Sequence, residues 1–169
     1  SLVGSEMCIR DRDISKFPFV DPPEPRAIKD ALRLLTELRA LQGSKITALG
    51  KRMARLPVDP RLAAMLMAAG PLGSLNEMLV IVAGLAVQDV RERPAEKVSA
   101  ADAAHEKFID EQSDFLGYLK LWTWIEAQRE QLSNRAWQAE LRRQFVNPMR
   151  VREWREIHRQ LRTVCRQLK

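Results

Sequence analysis

A chain of 169 residues with 46% hydrophobic and 30% charged side chains has a globular composition, long enough for one sizeable core or two small ones, which excludes an intrinsically disordered protein. Two distant cysteines, Cys8 and Cys165, exclude a disulfide framework and point to a reducing cytoplasm, and no apolar run reaches the roughly 18–20 residues of a membrane span. The net charge of +6 is uneven: residues 129–169 hold eleven Arg or Lys against four Glu, a balance of +7 that leaves −1 for the rest, so a polyanion is the expected partner and a membrane is not.

The first twelve residues, SLVGSEMCIRDR, show no period and no cap. They are read as a non-native leader, translated from adapter sequence, and Cys8 then carries no meaning. Residues 13–25 form an extended connection, because Pro18, Pro22, Pro23 and Pro25 forbid a regular helix. A helix is predicted over 26–41, where Ile28, Ala31, Leu32, Leu35 and Leu38 recur at spacings of three and four, with Gly43 as its stop. A few strand residues are allowed near Ile46 and Val58. Thr47 is placed to cap a helix whose Leu49, Met53 and Leu56 share a face. Asp59-Pro60 opens the next helix, cap first and Pro at its first position, and Gly70-Pro71 closes it.

Ser74 and Glu77 have the spacing of a capping box. The helix behind them, to about Val87, is apolar nearly all round and so should be central and buried. Residues 90–95 make a charged loop, and helices follow over 96–108 and 114–129, the second turning Phe115, Leu119, Trp122 and Ile125 inward. Ser133 caps a helix to about Val146, and Asn147-Pro148 starts the last one, to about Leu168. The fold class is all-α.

Little catalytic chemistry is legible. Gly50-Lys51 imitates a phosphate loop, but Arg52 stands where a Ser or Thr must hold magnesium, and Lys45 where the first Gly is required. Asp102-Ala103-Ala104-His105 lacks the Glu and the preceding apolar strand of a nucleotide-hydrolysing box. Ile109 stands where His105-Glu106 would need a second His for zinc. No cofactor and no metal are expected in this chain. Trp122, Trp137 and Trp154 lie on apolar faces and read as core; Trp124 falls off the inward stripe and is the tryptophan to test for base stacking.

The last helix is the informative one. Val151, Trp154, His158, Leu161, Cys165 and Leu168 form an apolar stripe. Arg152, Arg155, Arg159, Arg162 and Arg166 repeat the same spacings one residue further on, about 100° around the helix, with Arg150 near its start. A row of planar guanidinium forks recurring about every 5 Å suits a phosphate backbone. Glu153 and Glu156 offer intrahelical pairing, and five arginines leave a surplus over two glutamates.

Several segments resemble, in order, the region following the second RecA-like domain of DEAH-box ATP-dependent RNA helicases, above all the bacterial HrpA-like group. KFPFVDPPEP resembles the exit from that domain. ALRLLTELRAL is similar to the first helix of the winged-helix domain, and ITALGKRMARLPVDPRLAAML to its junction with the ratchet domain. VQDVRERP, AHEKFIDEQSDFLGYLKLW and FVNPMRVREWREIHRQL resemble successive parts of the ratchet domain. The resemblance implies a winged-helix-like small domain over 26–58 and a helical-bundle ratchet domain over 59–169, joined by residues 13–25 to a RecA-like domain that this chain lacks. It implies a 3′-to-5′ helicase parent whose ATP and Mg sites lie in those missing domains, so the chain alone is expected to be inactive. By position, Asn147, Arg150 and Arg152 match the segment nearest the RNA path; Arg155, Arg159, Arg162 and Arg166 rest on the stripe. The expected partners are single-stranded RNA and, within the parent, the RecA-like domains. The competing expectation is a basic helical module that docks an acidic protein.

Overall fold

The computed structural model describes residues 20, 21 and 23–168. The leader over 1–12 and most of the 13–25 connection lie outside the described residues. Those described fall into two compact units, one ending at Arg55 and the other beginning at Leu56. The all-α expectation holds: eight α-helices and one two-stranded ribbon make up the regular structure among the described residues, apart from single-turn 3-10 segments and an isolated antiparallel bridge between Arg91 and Val146. None of these helices is long and apolar enough to cross a membrane.

In the first unit α1 spans Pro25–Glu37, with Pro at its first position. It ends four residues earlier than the apolar period suggests. Arg39 turns left-handed (φ 57°), and the Ala40 N–H returns to the Leu35 carbonyl at 2.8 Å, the wrap that usually employs glycine. The freed residues form an antiparallel ribbon, β1 (Leu41–Gln42) and β2 (Lys45–Ile46), in register Leu41↔Ile46. Gly43, expected to stop a helix, instead turns this ribbon at φ 62°. The strand allowed at Ile46 is present, and Val58 sits in a bend.

Helix α2 (Ala48–Met53) follows, and Thr47 caps it as predicted, its Oγ1 accepting from the Gly50 N–H at 2.9 Å. The same hydroxyl donates to the Arg39 carbonyl at 2.8 Å, and the Thr47 N–H donates to the Ala40 carbonyl at 3.0 Å. One residue thereby ties helix, ribbon and turn together around the buried Ala40, Gly50 and Met53.

The second unit holds α3 (Pro60–Ala69), α4 (Leu75–Leu85), α5 (Val98–His105) flanked by two 3-10 turns, α6 (Asp114–Gln131), α7 (Asn134–Arg143) and α8 (Pro148–Gln167). Helix α4 is the axis, packed by α3, α6 and α8. Leu79, Val80, Ile81, Val82, Ala83 and Gly84 are all buried, which is what an all-apolar circumference requires. Asp59, Ser133 and Asn147 cap α3, α7 and α8 through their side chains, as predicted. Ser74 does not cap α4: its backbone (φ −106°, ψ 24°) leaves the extended conformation that aims a cap oxygen at the helix, and no capping bond forms.

The inward face of α6 also differs. Gly117, Leu121 and Ile125 are buried, Trp122 and Leu119 are half-buried, and Phe115 is 44% exposed. The buried row is offset from the one read in sequence, because α6 packs against α4, α7 and the 3-10 turn Glu106–Phe108. Trp124, the ring singled out for stacking, lies half-buried on Phe108 (centroids 5.2 Å), with Lys107 Nζ 4.7 Å from its own centroid.

Candidate nucleic-acid interface

Helix α8 exists because its apolar spacing seats one face on α4. Val151, Trp154, Leu161 and Cys165 are buried, and His158 and Leu168 are half-buried. Trp154 is fully covered; its Nε1 donates to the Val80 carbonyl at 2.9 Å, and its ring meets Trp122 at 5.0 Å and Tyr118 at 5.9 Å. Its first turn is fixed by a separate device. Asn147 Oδ1 accepts from the N–H groups of Met149 and Arg150, while its Nδ2 donates to Glu92 Oε1 at 2.7 Å. The Asn147 N–H reaches the Val90 carbonyl at 2.7 Å, the Glu92 N–H reaches the Phe145 carbonyl at 2.8 Å, and Arg150 Nη1 reaches the Asp89 carbonyl at 2.9 Å.

The seam so fixed orients the arginines one residue on. Arg152, Arg159, Arg162 and Arg166 are exposed and Arg155 is half-buried. Two of the five are engaged. Arg155 Nε donates to Glu126 Oε1 of α6 at 2.7 Å, and Arg159 forks onto Glu156 at 2.7 and 3.1 Å. Among the described residues Arg152, Arg162 and Arg166 form no ion pair. The bonds from Arg159 and Gln160 hold the Glu156 carboxyl down at about 2, so it is ionised at neutral pH, yet both partners of that pair are solvated and exchange readily. Asn147 and Arg150 are committed to holding the helix start, and Arg155 to Glu126.

His158 sits against Trp122, centroids 4.7 Å apart. Burial lowers its pKa below the ordinary 6.5, the charges of Arg162 and Arg155 push the same way, and Glu126 opposes them. A histidine whose folded pKa is depressed favours the fold when neutral. That contribution is present above the unfolded pKa and is lost as pH falls through 6.5 toward the folded value. The urea midpoint is therefore expected to drop on acidification below 6.5, and His158→Gln to flatten that part of the profile.

The decoys resolve into structure. Gly50 lies inside the first unit, against the Ala40 carbonyl. Asp102 forks with Arg93, and His105 Nε2 lies 3.0 Å from the Gln144 carbonyl. Among the described residues no group of three or more His, Cys, Asp or Glu side chains gathers as a metal site would need.

Two cations left out of the stripe lie close to it. Arg129 in the last turn of α6 and Arg142 in the last turn of α7 line one cleft together with Arg152 and Arg155. The sequence signal for them was the basic excess of 129–169, which has no period linking separate helices.

Residues 31–58 match the winged-helix family of the helicase associated domain (HA2), and residues 59–147 its ratchet-like family. The chain is 42% identical over 164 residues to the ATP-dependent RNA helicase HrpA homolog of Haemophilus influenzae, covering 92% of this chain and 13% of that protein. It is 44% identical over 162 residues to ATP-dependent RNA helicase HrpA of Escherichia coli (92% and 12%). A more distant relative is the pre-mRNA-splicing factor ATP-dependent RNA helicase prp22 of Schizosaccharomyces pombe, 38% identical over 112 residues (66% and 10%). The chain thus spans about an eighth of the length of its bacterial relatives. Two adjoining matches, in the order winged helix then ratchet and with HrpA-like relatives across nearly the whole chain, place this protein in the HA2 helicase-associated family.

Proposed function

We propose that this chain is the non-catalytic, RNA-guiding segment of an ATP-dependent 3′-to-5′ RNA helicase of the DEAH-box, HrpA-like kind, working in the cytoplasm. ATP and Mg belong to RecA-like domains of the longer protein, against which the two units of this chain pack. The observation that carries the reading is the exposed row Arg152, Arg162 and Arg166, without ion pairs among the described residues, on a helix whose adjoining face is buried. Arg159 joins that row when an RNA phosphate displaces Glu156, an exchange that solvent screening makes cheap. The mechanism is passive: the seam holds the row still, and nucleotide-driven motion of the RecA-like domains draws the strand along it.

The test is a salt titration of the affinity for a single-stranded RNA. Each phosphate contact contributes a slope of about −0.7 in log affinity against log salt. Arg152→Ala, Arg162→Ala and Arg166→Ala together are expected to flatten the slope by about 2. A wild-type affinity insensitive to salt overturns the reading. So does binding that an acidic protein partner retains after nuclease treatment while RNA shows none, which is the behaviour of a protein-docking module.

A further inference from the structure

We propose that the cleft between α6, α7 and α8 is a seat for one nucleotide unit of single-stranded RNA, its phosphate held by Arg129, Arg142 and Arg152. The inference deepens the RNA-guiding reading and rests on it.

The cleft measures about 310 Å³, at the small end of ligand sites, room for a phosphate with its sugar and not for a duplex. Three different helices deliver its cations: Arg129 from α6, Arg142 from α7 and Arg152 from α8. No carboxylate lines it, and among the described residues none of these three forms an ion pair. Like charges gathered around one hollow repel one another, and a bound anion relieves that repulsion. Arg155 shares the wall, steered by Glu126 at 2.7 Å. Asn134 and Gln138 add neutral amides able to donate to phosphate or ribose oxygens.

Trp137, only 6% exposed and pinned by its Nε1 bond to the Ile125 carbonyl at 3.1 Å, belongs to the lining. Apolar lining beside cations strengthens their hold on an anion, and the planar guanidinium fork matches phosphate oxygens. A polymer is favoured over a free anion by continuity. Arg152 belongs both to this cleft and to the row that runs on to Arg162 and Arg166, so a strand seated here continues along α8. The row alone is a surface that a backbone slides over; the cleft supplies a fixed point on it.

The experiment compares the full chain with two paired variants, Arg129→Gln/Arg142→Gln in the cleft and Arg162→Gln/Arg166→Gln on the row. Each is titrated with a 12-nucleotide oligouridylate at several salt concentrations, with poly-glutamate as a second arm. The cleft pair is expected to weaken RNA binding roughly tenfold or more and to flatten the salt slope by about 1.4, at an unchanged melting temperature. Uridine monophosphate is expected to shift the Trp137 indole N–H resonance in the wild type and not in the cleft pair. If the row pair weakens binding and the cleft pair does not, the seat is overturned and the guiding row stands. Loss in the cleft pair alone leaves the seat and removes the row. Poly-glutamate binding as tight as RNA in the wild type, abolished by the cleft pair, overturns the assignment of the seat to a nucleotide.

Discussion

Trp154→Ala is expected to lower the unfolding free energy of the second unit by about 3–5 kcal/mol, the range for removing a fully buried aromatic ring. That is a large share of the roughly 5–15 kcal/mol by which such domains are stable. Trp154 is where three helices meet. It stands on α8, its indole donates to the Val80 carbonyl of α4 at 2.9 Å, and Trp122 and Tyr118 of α6 meet it edge-on. Its outline is also fixed by Gly84, where an added Cβ would lie 3.1 Å from the Trp154 ring and 2.7 Å from that of Tyr118. Alanine here leaves a hole that neither α4 nor α6 can fill without moving. Urea unfolding followed by far-UV circular dichroism measures the loss. Trp122→Ala, at a half-buried ring, is expected to cost clearly less; equal costs would refute the hub.

Gly50→Ala is expected to disrupt the first unit, at a cost of about 1–3 kcal/mol or more. The cause is space rather than conformation. An alanine Cβ would run into the Ala40 carbonyl oxygen and approach Ile46 Cγ1 to 2.9 Å. That carbonyl already accepts the Thr47 N–H at 3.0 Å, so it cannot retreat without loosening the ribbon. Among the described residues of this unit, Ala40, Gly50 and Met53 are the ones buried outright, so little else offsets the damage. Hydrogen exchange on the full chain should show faster exchange at the Thr47 and Gly50 amides with α4 and α8 still protected. Unchanged protection in the first unit would disprove the close-approach argument.

Local signals in the sequence translated well where one residue satisfies its own neighbours. Thr47, Asp59, Ser133 and Asn147 cap the helices they were expected to cap, because a side chain two or three residues from an orphan N–H needs no tertiary help. The all-apolar α4 and the seam of α8 were equally legible, since burial follows from period alone. Failures came where distant groups decide. The end of α1 depends on a left-handed Arg39 that composition does not announce, and the buried row of α6 on which neighbours pack it. The pairing of Arg155 with Glu126, 29 positions away, took one arginine out of the free row. Arg129 and Arg142 came to the same cleft by the path of the chain.

The segment Asp89–Glu92 clasps the root of α8 through the Val90 and Asp89 carbonyls and the Glu92 carboxylate. A 20-residue rod at 1.5 Å per residue is about 30 Å long, so a pivot of ten degrees at Asn147 would carry its tip about 5 Å sideways. The clasp is thus a rudder: a short stretch remote in sequence sets the heading of every cation along the rod.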